Sequence, residues 1–323
     1  MSIKEFCKWP RVFTIMLSIF MLIIITSCQR GDNTTGAAPR VALVMKTLNN
    51  PFFIDMQNGA KKQAEESGVN LIVQAAEREV DVEKQMQIIE NLIQTRVDVL
   101  CITPSGSKEI IPAIVKANKA NIPVIIVDSR VDSSTLANAG GKIASFIGSD
   151  NFEGGRIAGE YIFKLLGGKG KVAILEGIPG HETGDERLRG FHSVVDKKEN
   201  ITILSSQTAN FERDQGFNVF QNIMQSFPDV DALFACNDMM ALGAVEAITA
   251  AGKSKNIIVV GFDAIEDAKE AIRSGKINAS IAQHPFEMGV EAIKNAKKII
   301  DGFKIPAYIP VSIDLITKEN LTH

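Results

Sequence analysis

Short apolar segments alternate with segments of helical spacing from residue 41 onward. The first apolar segment, residues 41–45, predicts a buried strand because it is short and ends at a polar turn. Asn50 and Pro51 then predict the start of a helix, since Asn caps helices and Pro suits the first helical position. Later apolar segments predict strands at 69–74, 97–103, 122–127, 146–148, 171–176, 201–206, 232–235, 257–261 and 277–282, with 308–316 extended.

Helices are predicted between these strands. In residues 80–95, for example, Val82, Met86, Ile89 and Ile93 recur at helical spacing. Near-continuous Val, Ile and Leu strands between helices are typical of a parallel sheet covered on both faces, so the chain is predicted to be an α/β protein. The other predicted helices are 107–120, 153–166, 183–198, 211–227, 239–251, 265–274 and 286–300.

The alternation of strands and helices is interrupted once. Residues 129–145 are predicted to form a polar loop, and the pattern restarts at residue 146. This divides the folded part into two Rossmann-like lobes of similar design. The first half has one helix fewer than the second, so the last helix is predicted to return to it near Gln283. The predicted lobes are 40–149 with 284–311 and 150–283 with 312–323, joined by several hinge strands.

The first residues carry an export signal. Lys4, Lys8 and Arg11 flank an uncharged segment at 12–27, which is too short for a spanning helix. Small residues ahead of Cys28 resemble the lipobox of bacterial lipoproteins. Residues 1–27 are therefore predicted to be a signal peptide, Cys28 the lipidated residue and 28–39 a flexible tether. A cleaved secretory signal with an incidental cysteine and an uncleaved anchor are the alternatives, and in each case the folded part works outside the cytoplasm.

The sequence lacks the residues that several classes of function require. A net charge of −3 without a basic tract argues against a nucleic-acid partner. The triplet 252–254 is not a phosphate-binding loop, because it follows a predicted helix and Ala247 stands where the first glycine belongs. Neither G-x-G-x-x-G after the first strand nor G-x-S-x-G occurs. The four histidines lack metal-ligand spacing and are predicted to be surface or loop residues. Cys101 and Cys236, in different halves, are predicted not to form a disulfide.

Polar residues follow the carboxyl ends of the predicted strands, which is where open α/β sheets bind ligands. Each of them also has a plain structural interpretation as a helix cap, a local ion-pair partner or, for the phenylalanines, a core residue. Their joint placement at one edge of both sheets favours a binding site. The candidates are Lys46, Asn50, Asp128, Asn237, Asp263 and Gln283 after strands, and Arg187 and Phe211 at helix openings, with Phe52 and Phe53 beside Asn50.

These residue types suit a neutral polyhydroxyl ligand. Carboxylates accept hydrogen bonds from adjacent hydroxyls, whereas Arg and Lys donate charge-assisted bonds to hydroxyl and ring oxygens. Asn and Gln do both. Phenylalanine rings cover the apolar faces of a sugar and need no polar partner for that contact. A missing or inverted hydroxyl would leave a buried polar group unpaired, at a cost of roughly 1–3 kcal/mol.

Several motifs follow one another along the chain and together span essentially all of 40–318: Thr47-Leu48-Asn49-Asn50-Pro51-Phe52-Phe53, Ser149-Asp150-Asn151, residues 182–191, Asn237-Asp238-Met239-Met240-Ala241-Leu242-Gly243, Val259-Val260-Gly261-Phe262-Asp263 and Ile281-Ala282-Gln283. In these motifs the chain resembles the sugar-binding proteins of bacterial ABC importers, in the ribose- and allose-binding branch of the type I periplasmic-binding fold. The resemblance implies ligand contacts at Asn50, Phe52, Phe53, Asp128, Arg187, Phe211, Asn237, Asp263 and Gln283.

Within this branch, the residue at position 46 distinguishes ribose-binding from allose-binding proteins. Ribose binders typically carry Ser there, whereas the allose-binding type carries Lys, as this chain does. Asp128-Ser129 also departs from the Asp-Arg that is usual in ribose binders, and residues 136–141 resemble the allose type. A hexose such as D-allose is therefore favoured, with ribose next. Phe53 and Phe211 stand where the allose type tends to carry Trp, so the chain departs from that type at these two positions. Autoinducer and inositol binders remain alternatives.

The resemblance also implies a mechanism and partners. Ligand bridges two open half-sites, the hinge closes, and a permease recognises the closed form. No catalytic residue, metal or cofactor is expected, the membrane is reached through a lipid on Cys28, and the protein is predicted to be monomeric. The main alternative is a sugar receptor that serves a chemoreceptor or sensor kinase. A sugar-responsive regulator would need an N-terminal DNA-binding helix pair, and an enzyme would use Asp128 and Asp263 as acid and base.

Overall fold

The structure, a computed structural model, describes residues 37–252 and 257–321. Residues Pro39–His323 form one compact unit. Cys28, the predicted signal peptide and most of the predicted tether lie outside the described residues. In the part of the chain that is described, no helix is long and apolar enough to cross a membrane.

One lobe, here called the N-terminal lobe, contains a sheet with the strand order β11-β5-β4-β3-β1-β2. All neighbouring strands in it are parallel. Leu43 and Met45 of β1 pack into one core, and Ala42 and Val44 into a second core on the opposite face, as expected for a sheet covered on both faces. The strands are β1 (Arg40–Met45), β2 (Asn70–Ala75), β3 (Val99–Ile102), β4 (Val124–Val127), β5 (Ser145–Gly148) and β11 (Tyr308–Pro310).

The second sheet forms the C-terminal lobe and has the order β12-β10-β9-β8-β6-β7. Its strands are parallel except β12, which runs antiparallel to β10 at the edge. This sheet consists of β6 (Gly170–Glu176), β7 (Ile201–Thr208), β8 (Ala232–Ala235), β9 (Ile258–Asp263), β10 (Ala279–Ala282) and β12 (Asp314–Thr317). The segment predicted as extended at 308–316 therefore supplies one strand to each sheet.

Helices cover both sheets. The polar loop predicted at 129–145 is wrong in part, because residues 133–138 form a short helix whose Thr135 amide is capped by Asp132 Oδ1 at 2.7 Å. The described helices are α1 (Pro51–Ser67), α2 (Val82–Gln94), α3 (Ile111–Lys119), α4 (Ser133–Asn138), α5 (Asn151–Leu165), α6 (Glu182–Val195), α7 (Arg213–Ser226), α8 (Asp238–Ala250), α9 (Glu266–Arg273) and α10 (Pro285–Ile300).

The chain passes between the two sheets three times: after β5, after β10 and after β11. Helix α10, which follows the second passage, packs on α1 of the N-terminal lobe so closely that a Cβ on Gly289 would lie 2.0 Å from the Met56 carbonyl oxygen. The last helix thus packs against the first helix of the N-terminal lobe. Both hydrophobic cores belong to the unit that begins at Pro39, so this unit is expected to fold without the residues before it.

Candidate functional site

A cavity of about 260 Å³ lies between the lobes, where the carboxyl ends of strands from both sheets meet. All ten residues predicted to contact a ligand line it. Glu79 and Thr183 also line it and were not predicted. The complete lining is Lys46, Asn50, Phe52, Phe53, Glu79, Asp128, Thr183, Arg187, Phe211, Asn237, Asp263 and Gln283.

Lys46 is the centre of the polar wall on the N-terminal lobe. It follows β1 directly and is 2 % exposed. Its Nζ donates to Asp128 Oδ2 at 3.1 Å and to Ser129 Oγ at 2.6 Å. The Thr183 hydroxyl, from the C-terminal lobe, donates to Ser129 Oγ at 2.9 Å. Side chains of the two lobes are therefore joined in one hydrogen-bond network.

Asn50 has two roles. Its Oδ1 accepts from the Phe52 amide at 3.0 Å and caps α1, so the structural interpretation of this residue is correct. Its Nδ2 donates to Glu79 Oε1 at 3.2 Å, and Glu79 Oε2 lies 3.9 Å from Lys46 Nζ. The cap thus leaves the amide nitrogen free to hold a buried carboxyl group at the edge of the cavity.

Three phenylalanine rings border the cavity. Phe52 and Phe53 of α1 pack edge to face with their centroids 5.2 Å apart, and Phe53 also lies 5.5 Å from Lys46 Nζ. Phe211, predicted to open a helix, instead precedes α7 with a φ of 63°. Its ring lies so close to Gly177 that a Cβ there would be 2.1 Å from Phe211 Cζ, so glycine at this position makes room for the ring.

Arg187 is the only arginine among the residues that line the cavity, and it is 3 % exposed. Its Nη1 donates to the Cys236 carbonyl at 2.7 Å and lies 3.5 Å from Asp263 Oδ1. Its Nε donates to Asn151 Oδ1 at 2.9 Å, and the guanidinium stacks 3.8 Å from the centroid of the Phe262 ring. The alternative that Arg187 pairs with Asp185 or Glu186 is therefore wrong.

The remaining wall comes from the ends of β8, β9 and β10. Asn237 caps α8 through Oδ1, which accepts from the Met240 amide, and its Nδ2 donates to the Phe211 carbonyl at 3.1 Å. Asp263 does not cap a helix. It ends β9 with a φ of 111° and accepts a 2.6 Å bond from Gln283 Nε2. The buried Gln283 Oε1 accepts no hydrogen bond from any described residue.

Burial and charge act in opposite directions on the carboxyl groups. Burial alone would raise the pKa of Asp128, but Lys46, Arg187 and the Ser129 hydroxyl together hold that pKa below its ordinary value. Burial raises the pKa of Glu79 despite Lys46, and raises the pKa of Asp263 well above its ordinary value despite Arg187. The site therefore combines two cations with carboxyl groups of unequal acidity, which supplies both donors and acceptors.

Two residues missed by the sequence prediction illustrate its limits. Glu79 lies in the charged stretch 77–83, which has the composition of an exposed loop. His181, predicted at the surface or in a loop, is buried, with Nε2 3.1 Å from the Pro104 carbonyl oxygen. No spacing signal marks either residue, because Glu79 is held by Lys46 and Asn50 from distant positions of the chain and His181 meets Pro104 of the other lobe. Within 37–252 and 257–321, no cluster of His, Cys, Asp and Glu could hold a metal ion.

Two parallel-sheet lobes that enclose a polar cavity at their strand ends define a two-lobed binding protein. The chain matches the model of the periplasmic binding protein domain over residues 41–304, and it belongs to this family.

Three similar proteins carry information about ligands. The ribose import binding protein RbsB of Escherichia coli is 40 % identical over 283 residues, which cover 88 % of this chain and 92 % of that protein. The D-allose-binding periplasmic protein of Escherichia coli is 32 % identical over 289 residues, or 87 % and 93 % of the two chains. A crystal structure of a periplasmic solute-binding protein from Actinobacillus succinogenes with bound D-allose has a TM-score of 0.83 and 40 % identity, and covers 87 % and 98 %.

Proposed function

We propose that this chain is the sugar-binding protein of a bacterial ABC importer and works outside the cytoplasm. One observation carries the proposal: ten strand-end and helix-start residues from two lobes line one cavity. Its wall combines buried cationic, carboxyl, amide and aromatic side chains, the mixture of polar groups and ring faces that a polyhydroxyl ligand needs. The ribose and allose proteins of Escherichia coli and the allose-bound protein of Actinobacillus succinogenes support this ligand class.

The cavity wall provides polar groups that a sugar can use. Lys46 has three N–H donors, and Asp128 and Ser129 take two of them. Gln283 Oε1 is a buried acceptor that a ligand hydroxyl would satisfy. Asp263 and Arg187 face each other at 3.5 Å, a separation at which both keep capacity for hydroxyls of the ligand. Phe52 and Phe53 would cover one face of the ring and Phe211 the other.

We infer that a D-allose-like hexose is the preferred sugar and ribose the next. Lys46 carries this inference because its ammonium group occupies the corner between Asp128 and Glu79. A hydroxyl placed at this corner would meet a donor on Lys46 and an acceptor on Glu79. A serine at position 46 would be too short to reach Asp128 and would leave that carboxylate free for a different hydroxyl pattern.

Closure of the lobes would couple binding to transport. The sugar would contact both lobes, so it binds the closed form better than the open form and shifts the equilibrium by that difference. The closed form would then be recognised by the permease subunits of the importer. The site would bind the sugar without turnover, since Asp128 is engaged by Lys46 and Ser129 and Asp263 by Gln283. A monomer with one site per chain fits this role.

We also propose that residues 1–27 are removed as a signal peptide and that Cys28 is lipidated, which would hold the protein at the membrane. The test is labelling of the full chain in a bacterial host with an alkyne analogue of palmitate. Label on the wild type and none on Cys28→Ala supports the anchor. Equal label on both proteins overturns it, and so does none on either.

The sugar assignment is tested by thermal unfolding of the 39–323 fragment with D-allose, D-ribose, other pentoses and hexoses, and myo-inositol. A ligand that binds only the folded protein stabilises it by about 2.7 kcal/mol at a hundred times its dissociation constant. We expect the largest shift with D-allose. In Lys46→Ser, compared with its own sugar-free midpoint, we expect the allose shift to fall more than the ribose shift.

The outcomes separate the parts of this proposal. A shift with ribose alone overturns the preference for a hexose and leaves the transport function intact. A shift with myo-inositol alone changes the ligand class to cyclic polyols. The absence of a shift with every compound overturns the proposed function.

A further inference from the structure

The start of α6 makes a second set of contacts between the lobes, beside the cavity. His181 Nε2 lies 3.1 Å from the Pro104 carbonyl oxygen, and the Glu182 amide donates to Ser107 Oγ at 3.0 Å. Thr183 adds its bond to Ser129. These residues of the C-terminal lobe, here called the α6 latch (residues 181–183), bind the loops that follow β3 and β4 of the N-terminal lobe. The latch therefore forms only when the lobes are closed.

His181 is the member of the latch that can change charge near neutral pH. Its side chain is 2 % exposed. A carbonyl oxygen can only accept, so Nε2 must carry the proton that is donated to Pro104. Nδ1 has no hydrogen-bond partner among the described residues. A second proton on Nδ1 would therefore place a buried N–H without an acceptor between the lobes, in addition to a buried positive charge.

We propose that His181 is a proton-sensitive latch: protonation of its ring breaks the α6 latch, opens the cleft and lowers the affinity for the sugar. This inference rests on the proposed sugar-binding function. It adds an affinity-determining residue outside the cavity wall and makes ligand release favourable in acid.

The charges around the His181 ring also favour opening of the cleft in acid. The groups that face His181 are Lys46 and Asp128 from the N-terminal lobe and Arg187 from its own helix. Burial lowers the pKa of His181 to about 3, with Lys46 acting in the same direction. In the open form the ring would meet water and titrate near its ordinary value of about 6.5. The closed form thus binds fewer protons than the open form, and acid favours opening.

Protonation of other groups in the cleft would have the opposite effect on closure from protonation of His181. Glu79 and Asp263 have a raised pKa in the closed form, so their protonation would favour closure in acid. The pH dependence of the wild type alone is therefore a sum of several groups. The contribution of His181 is isolated by the difference between the wild type and His181→Gln, since a glutamine amide can donate to Pro104 and does not titrate.

The first measurement is calorimetric binding of D-allose and D-ribose to the 39–323 fragment at pH 5.5, 6.5 and 7.5. The pKa of His181 is about 3 in the closed form and would be about 6.5 in the open form. With these values, protonation of His181 should weaken binding about tenfold between pH 7.5 and pH 5.5. We expect the wild type to lose about ten times more affinity over this interval than His181→Gln. His192→Gln, on the same helix but paired with Asp196 at its exposed end, is the control and should follow the wild type. Identical profiles for the wild type and His181→Gln overturn the proposal.

The second measurement needs no sugar, so it decides the latch even if no sugar binds and the proposed function fails. Spin labels are placed by Glu83→Cys and Asp214→Cys, which flank the Arg78–Glu212 ion pair between the lobes. The labelled protein is the 39–323 fragment, whose natural cysteines are Cys101 and Cys236. Both are buried, and burial raises the pKa of each thiol to about 12, so they should not react with the label.

Pulsed electron paramagnetic resonance then measures the distance between the labels at pH 5.5 and 7.5. We expect a larger short-distance fraction at pH 7.5 than at pH 5.5 with His181, and equal fractions with His181→Gln. A short-distance fraction that does not change with pH in the presence of His181, including one that is absent at both pH values, overturns the latch.

Discussion

Lys46 and Asp128 are 82 positions apart in the chain, yet Lys46 Nζ lies 3.1 Å from Asp128 Oδ2 in the interior of the protein. The two residues follow β1 and β4, which are separated in the sheet only by β3. Asp128 has a φ of 67°, in the left-handed region that residues other than glycine seldom adopt. Each charge is buried and each has the other as its main partner, so neither residue can be changed without affecting the other.

Removal of one charge from this pair should destabilise the protein strongly. In Lys46→Met, Asp128 would remain buried with the Ser129 hydroxyl and the more distant charge of Arg187, without its direct cationic partner. Breaking a buried ion pair from one side costs about 3–5 kcal/mol, because the remaining charge is uncompensated. Urea unfolding of the 39–323 fragment at pH 7 measures this loss.

Two variants test the explanation. Lys46→Met combined with Asp128→Asn removes both charges, so it should be more stable than Lys46→Met alone. Lys116→Met removes an exposed partner of Glu90 and should change the stability by less than about 1 kcal/mol. Equal losses in Lys46→Met and Lys116→Met would show that the pair is solvated.

Gly177→Ala should weaken sugar binding without direct contact with the sugar. A Cβ at this position would lie 2.1 Å from Phe211 Cζ, so the ring must leave the position in which it lines the cavity. We expect the affinity for the sugar that binds in the thermal screen to fall about tenfold, which is about 1.4 kcal/mol. Calorimetry at pH 7.5 measures the change.

Gly184→Ala is the matched control for this prediction. Its Cβ would lie 3.2 Å from the same Phe211 atom, which small shifts can accommodate, so we expect a smaller loss of affinity. Wild-type affinity in Gly177→Ala would mean that Phe211 does not cover the sugar.

The fold was largely predictable because its signals are local. Buried parallel strands have nearly continuous Val, Ile and Leu sequences, which are recognisable without knowledge of the fold. Most predicted strand bounds lie within two or three residues of those observed. Helix α4 was missed because its six residues, Ser133–Asn138, include only two apolar ones and lack a helical pattern. The helix depends instead on one side-chain cap from Asp132.

The site was predictable where a residue directly follows a strand, as Lys46, Asp128 and Gln283 do. Glu79 and His181 were not predictable, because their burial arises from contacts between elements far apart in sequence: His181 meets Pro104 across the cleft, and Glu79 meets Lys46 and Asn50. The sequence marks strand ends, whereas the closure of two lobes on each other is a property of the assembled fold.

Gly155→Ala should reduce both stability and affinity. Helices α5 and α6 pack so closely that a Cβ on Gly155 would lie 2.0 Å from the Arg187 carbonyl oxygen. Overpacking of this kind destabilises a protein by about 1–3 kcal/mol, and here it also displaces the backbone of a cavity residue. Urea unfolding and calorimetry with the bound sugar measure the two effects.

Gly59→Ala separates these effects, because its Cβ would lie 2.0 Å from the Phe286 carbonyl oxygen, at the contact of α1 with α10. We expect a similar loss of stability and a smaller loss of affinity than in Gly155→Ala. Equal loss of affinity in the two variants would show that general loosening, rather than displacement of Arg187, weakens binding.

Asp238 should make stability fall as pH rises from about 4 to about 7. Its Oδ1 accepts from Ser280 Oγ at 2.7 Å and its Oδ2 from the Ile265 amide at 3.0 Å, but burial outweighs these bonds and raises its pKa to about 7. The unfolded chain would release the proton near pH 3.9. The folded protein therefore binds more protons between these pH values, and Asp238 contributes a decrease in stability of up to about 1.4 kcal/mol per pH unit.

Urea unfolding of the wild type and Asp238→Asn at pH 4.5, 5.5, 6.5 and 7.5 isolates the contribution of Asp238, because asparagine keeps the shape of the side chain and does not titrate. We expect the wild type to lose stability relative to Asp238→Asn as pH rises, whereas Asp55→Asn, an exposed change on α1, controls for the removal of one carboxylate. A constant or growing advantage of the wild type over Asp238→Asn would show that Asp238 is ionised in the folded protein throughout this range.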